Sequence, residues 1–174
     1  VVYLDMKSYQ DGLTYFLKAK AIAEKLQDER RIIRCNLNIG DTYEKLNQLD
    51  SAKKYTDLAK ESAIRTNDLQ VIGATFNNLG NIYLKWKMNE KAMNNYKSSL
   101  TYYGTVGDDE GYCEVTLGIA KLFKENVQID SALYYAKLSL IISQNSGFAK
   151  YLLNASIFLS DYYKQVGNAD SALA

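Results

Sequence analysis

A chain of 174 residues, 47% hydrophobic and 24% charged, is long enough to bury a core and short enough to be one domain. Its 21 basic and 20 acidic residues are interspersed for a net charge of +1, so no polybasic run exists to neutralise phosphates, which argues against nucleic acid as the main partner. No apolar run approaches the roughly 18 residues of a membrane span and no signal peptide is visible. The absence of proline leaves long helices uninterrupted, and the absence of histidine removes the commonest general base and metal ligand.

In chain order, apolar periodicity and turn residues predict helices over 9–26, 29–46, 50–66, 69–86, 90–104, 109–126, 130–145 and 149–166, with partial helices at both ends. Asp28, Asp68 and Asp108 mark the entries to alternate helices, and Gly107 and Gly147 end the ones before. Asp50-Ser51, Asp130-Ser131 and Asp170-Ser171 are expected to cap the others. Small residues recur every forty positions at Gly12, Ala52, Ala92, Ala132 and Ala172, and aromatics keep the same step at Tyr3, Tyr43, Tyr83, Phe123 and Tyr163. A second small series, Gly40, Gly80, Ala120 and Ser160, lies on the first helix of each pair, where it lets the second helix approach closely. The ladder aromatics then fill the wedge between helices, each worth roughly 1.5–3 kcal/mol on full burial.

The clearest copy runs Phe76, Leu79, Gly80, Tyr83, Ala92 and Tyr96, and resembles the tetratricopeptide signature W-x2-L-G-x2-Y followed by A-x3-F, with Gly104 where proline would fall. The other copies keep the register with drift. The resemblance implies an all-α, right-handed superhelical α-solenoid of antiparallel helix pairs over essentially the whole chain, 1–174. It divides into a partial repeat 1–28, repeats 29–68, 69–108 and 109–148, and a partial repeat 149–174, and reads as an excerpt of a longer chain. The family's usual repeat is 34 residues. The six more found here are expected to lengthen both helices toward roughly 25 Å and to enlarge the turn between repeats. HEAT-type repeats share the period and are the architectural alternative. A WD40 propeller is disfavoured by the helical periodicity.

In the resembling fold, the other face of each first helix lines a concave wall. Here that implies Arg34, Asn38, Asp41 and Lys45 from one copy, Asn77, Asn78, Asn81 and Lys85 from the next, then Lys121, and finally Asn154 and Asp161. Asparagine competes with its own helix backbone, so its concentration on one wall asks for a reason. Either the amides hold a ligand main chain, or they bridge neighbouring helices. On the first alternative, Asn77→Ala or Asn81→Ala weakens binding and spares stability. Asn81 and Lys121 supply part of the family's carboxylate clamp, but Asp41, Glu114 and Asp161 on the same wall oppose a terminal carboxylate.

Cys35 and Cys113 lie almost two periods apart, too far for a disulfide in a linear stack, and read as small core residues. Most tyrosines outside the ladder, including Tyr102, Tyr103, Tyr134, Tyr135 and Tyr162, read as packing, and Trp86 as a wedge against the following turn. No nucleophile–base pair, phosphate loop or metal-ligand spacing is present, so catalysis, a metal and a cofactor are not expected. The resulting expectation is a module binding a protein or peptide, with end-to-end self-association through cut faces. Copies such as Asp130-Ser-Ala-Leu-Tyr-Tyr resemble the sensor regions of bacterial TPR-containing histidine kinases and TPR transcriptional regulators, which implies signalling on either side of a membrane. A structural scaffold and a regulatory segment of a larger enzyme are the alternatives.

Overall fold

The computed structural model describes residues 2–165, and among them every regular element is an α-helix. These are α1 (Val2–Lys25), α2 (Glu29–Lys45), α3 (Leu49–Thr66), α4 (Leu69–Lys85), α5 (Asn89–Val106), α6 (Asp109–Glu125), α7 (Ile129–Ser146) and α8 (Ala149–Gln165). The chain forms two compact units, residues 1–102 and 103–174, with the division falling inside α5. Ala172 and the Asp170-Ser171 pair lie outside the described residues.

In the first unit, Tyr43 stacks on Tyr55, Gly40 abuts Thr56, and Ile33 shares a cluster with Ala63. As one index rises the other falls, so α2 and α3 are antiparallel. α4 and α5 are antiparallel too: Gly80, late in α4, meets Tyr96, early in α5, while Gly73 and Phe76, earlier in α4, meet Ser99 (donating to the Gly73 carbonyl at 2.7 Å) and Tyr102, later in α5. In the second unit, Phe123 stacks on Tyr135, and Cys113 and Ser139 exchange contacts between α6 and α7. First helices are near-parallel neighbours: Ile33 joins Val71 and Ile72 in one cluster, and Leu117 joins Ala155 in another.

Side-chain volume is matched pair by pair. Gly40 faces Thr56, Gly80 faces the fully buried ring of Tyr96, and at the same register Ala120 clusters with Ala136. A Cβ on Gly80 would sit 2.5 Å from the Tyr96 ring, and one on Gly40 2.5 Å from the Thr56 hydroxyl. In α6, Gly111 makes the same room for the Tyr103 ring.

The expected helices form, and three expectations need correction. The second-to-first turn is not enlarged, because only Asn67 and Asp68 separate α3 from α4. The additional residues are absorbed into helices of 17 and 18 residues, about 26 Å long. Asp50 and Asp130 are not N-caps. Gln48 and Gln128 hold that position without side-chain bonds, and both aspartates sit in the first helical turn, where they favour the helix dipole. Finally, α1 is continuous from Val2, with no break before residue 9. Residues 4–10 contain no glycine, proline or asparagine, so each further helical bond forms at little cost. Asp28, Asp68 and Asp108 do cap, accepting from the backbone N–H three residues on at 3.1, 3.1 and 2.9 Å.

Candidate protein-interaction face

Residues 34, 38, 41 and 45 recur at three- and four-residue steps and form one row along α2. Arg34, Asn38 and Lys45 are exposed and Asp41 is half-buried. Lys45 lies 3.6 Å from the Asp41 carboxylate, an i,i+4 pair that stiffens the end of the row. The side chains of Arg34 and Asn38 have no partner among the described residues. They are the two polar groups of this row left uncommitted.

The neighbouring row on α4 differs. Asn77 is 2% exposed and Asn78 is also buried, so neither presents its amide to solvent. Asn77 takes the register of Leu37 and Leu117, an otherwise apolar column, and its Oδ1 accepts no hydrogen bond. Asn81 is half-buried and accepts the Tyr96 hydroxyl at 2.7 Å, tying α4 to α5. Its oxygen therefore serves the pair, as the bridging alternative requires. Lys85 is exposed but committed: its ammonium donates to the Glu44 carbonyl at 2.6 Å and lies 2.7 Å from Glu44 Oε1.

Glu44 is the residue missed as a candidate. It is 3% exposed on α2, and the Lys45 ammonium pairs with its Oε2 at 2.9 Å. Burial pushes its carboxyl up, but Lys45 and Lys85 outweigh that and hold it below the usual carboxylate value. The signal was present in the register. Glu44 stands where the next repeat has the buried Leu84, and a carboxylate placed there needs cations.

In the second unit, Lys121, Asn154 and Asp161 are exposed on α6 and α8. On the same two helices, Tyr151 donates to Glu114 Oε2 at 3.3 Å, and Lys150 lies 4.8 Å from the Tyr151 ring centre. Burial, then the nearby Glu114, push the hydroxyls of Tyr103 and Tyr151 well above the ordinary phenol value. Both phenols stay protonated, and Tyr151 acts as a donor. Lys124 rests over the Phe158 ring at 5.1 Å.

Cys113 is fully buried and burial pushes its thiol up to about 11, while Cys35 is half-buried, with burial raising its thiol too. Neither has the lowered pKa that makes a reactive thiolate. The ladder aromatics Tyr43, Tyr83 and Phe123 are half-buried, and Trp86 ends α4 tilted against Tyr83 at 5.8 Å. Among the described residues, no three His, Cys, Asp or Glu side chains gather as a metal site, and no helix is long and apolar enough to cross a membrane.

Residues 33–63 and 74–105 match the tetratricopeptide repeat family, covering the α2–α3 and α4–α5 pairs. The 43 kDa receptor-associated protein of the synapse from Tetronarce californica is 22% identical over 172 residues, 97% of this chain and 42% of that protein. Its counterpart from Gallus gallus is 21% identical over 174 residues, again 42% of its length. The chain thus spans under half of the curated relatives it matches. Among solved structures, BtubC (BKLC) from P. vanneervenii superposes with a TM-score of 0.72 at 18% identity, over 95% of this chain and 69% of that one. Aspartyl phosphate phosphatase F from Bacillus subtilis gives 0.72 at 17%, over 98% and 54%. At these identities the structural likeness is one of fold: an all-α helical repeat of the solenoid class. Tetratricopeptide repeats in general mediate protein–protein interaction.

Proposed function

We propose that the whole chain is one tetratricopeptide-type array that binds a protein segment on the first-helix row of α2, as the sensor or regulatory region of a bacterial signalling protein. The observation that carries the binding reading is the α2 row, where Arg34 and Asn38 are exposed, one turn apart and uncommitted within the fold. A guanidinium and an amide at that spacing offer donors and an acceptor to a peptide main chain. The family match across 33–63 supports the reading, because the row lies within it. So do the names of two proteins of similar sequence or fold, one receptor-associated and one an aspartyl phosphate phosphatase from a bacterium. The segment itself is non-catalytic on this reading.

Selection of short random peptides displayed on phage against the purified chain tests it. Enriched peptides are expected to bind in the micromolar range, with Arg34→Ala and Asn38→Ala each weakening binding about tenfold, near 1.4 kcal/mol. Melting temperature should move by no more than about 2 °C, because both side chains are exposed. Failure to enrich any peptide, or binding indifferent to both substitutions, rejects the α2 row as the contact.

A further inference from the structure

The outward face of α7 is built unlike those of its sister helices. Asp130, Tyr134, Lys137 and Ile141 follow at steps of four, three and four, so all lie within one narrow stripe. All four are exposed, Tyr134 at 62% and Ile141 at 55%. At the registers of Tyr134 and Ile141, α3 carries Lys54 and Glu61, and α5 carries Asn94 and Thr101. Those are ordinary solvated residues. A helix apolar on its outer as well as its inner face has something to cover it.

Two observations identify what covers it. Asp130 and Lys137 have opposite charges, flank Tyr134 on the same stripe, and form no ion pair among the described residues. Their spacing of two turns, about 10 Å, makes the stripe complementary to itself. If a second α7 lies antiparallel across Tyr134, each Asp130 meets the other copy's Lys137, and the other copy's Ile141 reaches the exposed Val127 in the turn just before the helix. This is the arrangement an isologous two-fold contact requires, in which residue i meets j and j meets i. Tyr134 is also held ready: it packs edge-on to Tyr135 at 5.2 Å, and Tyr135 stacks on Phe123. A ring fixed by its neighbours loses little freedom on docking, which suits an anchor.

We infer that two copies of this chain pair through the outward faces of their α7 helices, antiparallel, with Tyr134 at the centre and Asp130–Lys137 ion pairs on either side. The surface is separate from the first-helix row, so Arg34→Ala and Asn38→Ala leave the pairing unchanged.

Sedimentation velocity of the 174-residue chain from about 1 to 200 µM tests this, with a reversible monomer–dimer equilibrium expected in that range. Tyr134→Ser and Ile141→Ser should each raise the dissociation constant about tenfold or more, because each change enters the interface twice. Asp130→Lys and Lys137→Asp should each raise it about fivefold or more, and the double variant D130K/K137D should return to within about threefold of the parent. Circular dichroism confirms that each variant is folded. A monomer at all concentrations overturns the inference. So does a dimer that ignores the α7 substitutions, and so does a double charge swap no better than either single one.

Discussion

Gly80 and Tyr96 show what one hydrogen in place of a methyl decides. The Tyr96 ring fills the space a Cβ would need, and its hydroxyl reaches Asn81. Gly80→Ala should lower stability by about 1–3 kcal/mol, despite alanine's better helix propensity, because the ring must move. In a Tyr96→Ala background the same change should cost almost nothing, as the native Ala120–Ala136 pair shows that two alanines fit this register. Chemical denaturation of the four proteins in the cycle measures the coupling. Asn77 poses the opposite case. Its orphaned, buried Oδ1 stands where Leu37 and Leu117 stand in neighbouring repeats. Asn77→Leu should therefore raise stability by about 1 kcal/mol, and an unchanged or lower midpoint would show that the amide is satisfied in solution. Both facts bear on legibility. The small-residue series could be read from the chain because its step never varies. The fate of the asparagines could not be read from their type, since an amide serves a ligand or a neighbouring hydroxyl equally well. The register of Asn77 did carry the answer, as a polar residue in an apolar column.

The turns repeat at half the period of the sequence. Gln27, Asn47, Asn67, Lys87, Gly107, Val127 and Gly147 all have positive φ, one at each helix junction, twenty residues apart. The backbone geometry is constant while the residue varies, which is why glycine marked only two of the junctions in advance. Val127 is the least suited, a β-branched residue at φ 59 that is 79% exposed. Val127→Asn, copying Asn47, should raise the melting midpoint by an amount equivalent to about 0.5–1 kcal/mol. A thermal melt showing no gain would mean that packing of α6 on α7 already sets the turn. Helix existence was legible throughout because the apolar period is strong. The errors fell at helix starts. Asp50 and Asp130 look like caps in sequence, but the left-handed residues at 47 and 127 launch each helix one position earlier.

Across the whole molecule, the absence of histidine shapes the response to pH. With no imidazole to titrate, folding stability should be nearly flat through the neutral range and fall only at the two ends. At the acid end the responsible group is Glu44, whose carboxyl is held below the usual 4.5 by Lys45 and Lys85 against the effect of its burial. A depressed folded pKa means the stabilisation is complete above 4.5 and is lost as pH falls through the lower folded value. At the alkaline end the order is set by burial. Cys113, raised from 9.0 to about 11, binds its proton more tightly folded than unfolded, so its contribution is complete below 9 and lost as pH climbs toward 11. Tyr103 and Tyr151, raised from 10.0, extend that loss to higher pH. Urea midpoints taken from about pH 3 to 11 should trace a plateau with two shoulders. Glu44→Gln should lower the plateau by about 1–3 kcal/mol, leaving Lys85 without its carboxylate, and flatten the acid limb. Cys113→Ala should delay the alkaline decline until the tyrosines titrate. If Glu44→Gln leaves the acid limb as steep as before, exposed carboxylates rather than the α2–α4 tie govern acid unfolding. The pair would then fix the spacing of successive first helices without setting the pH at which they separate.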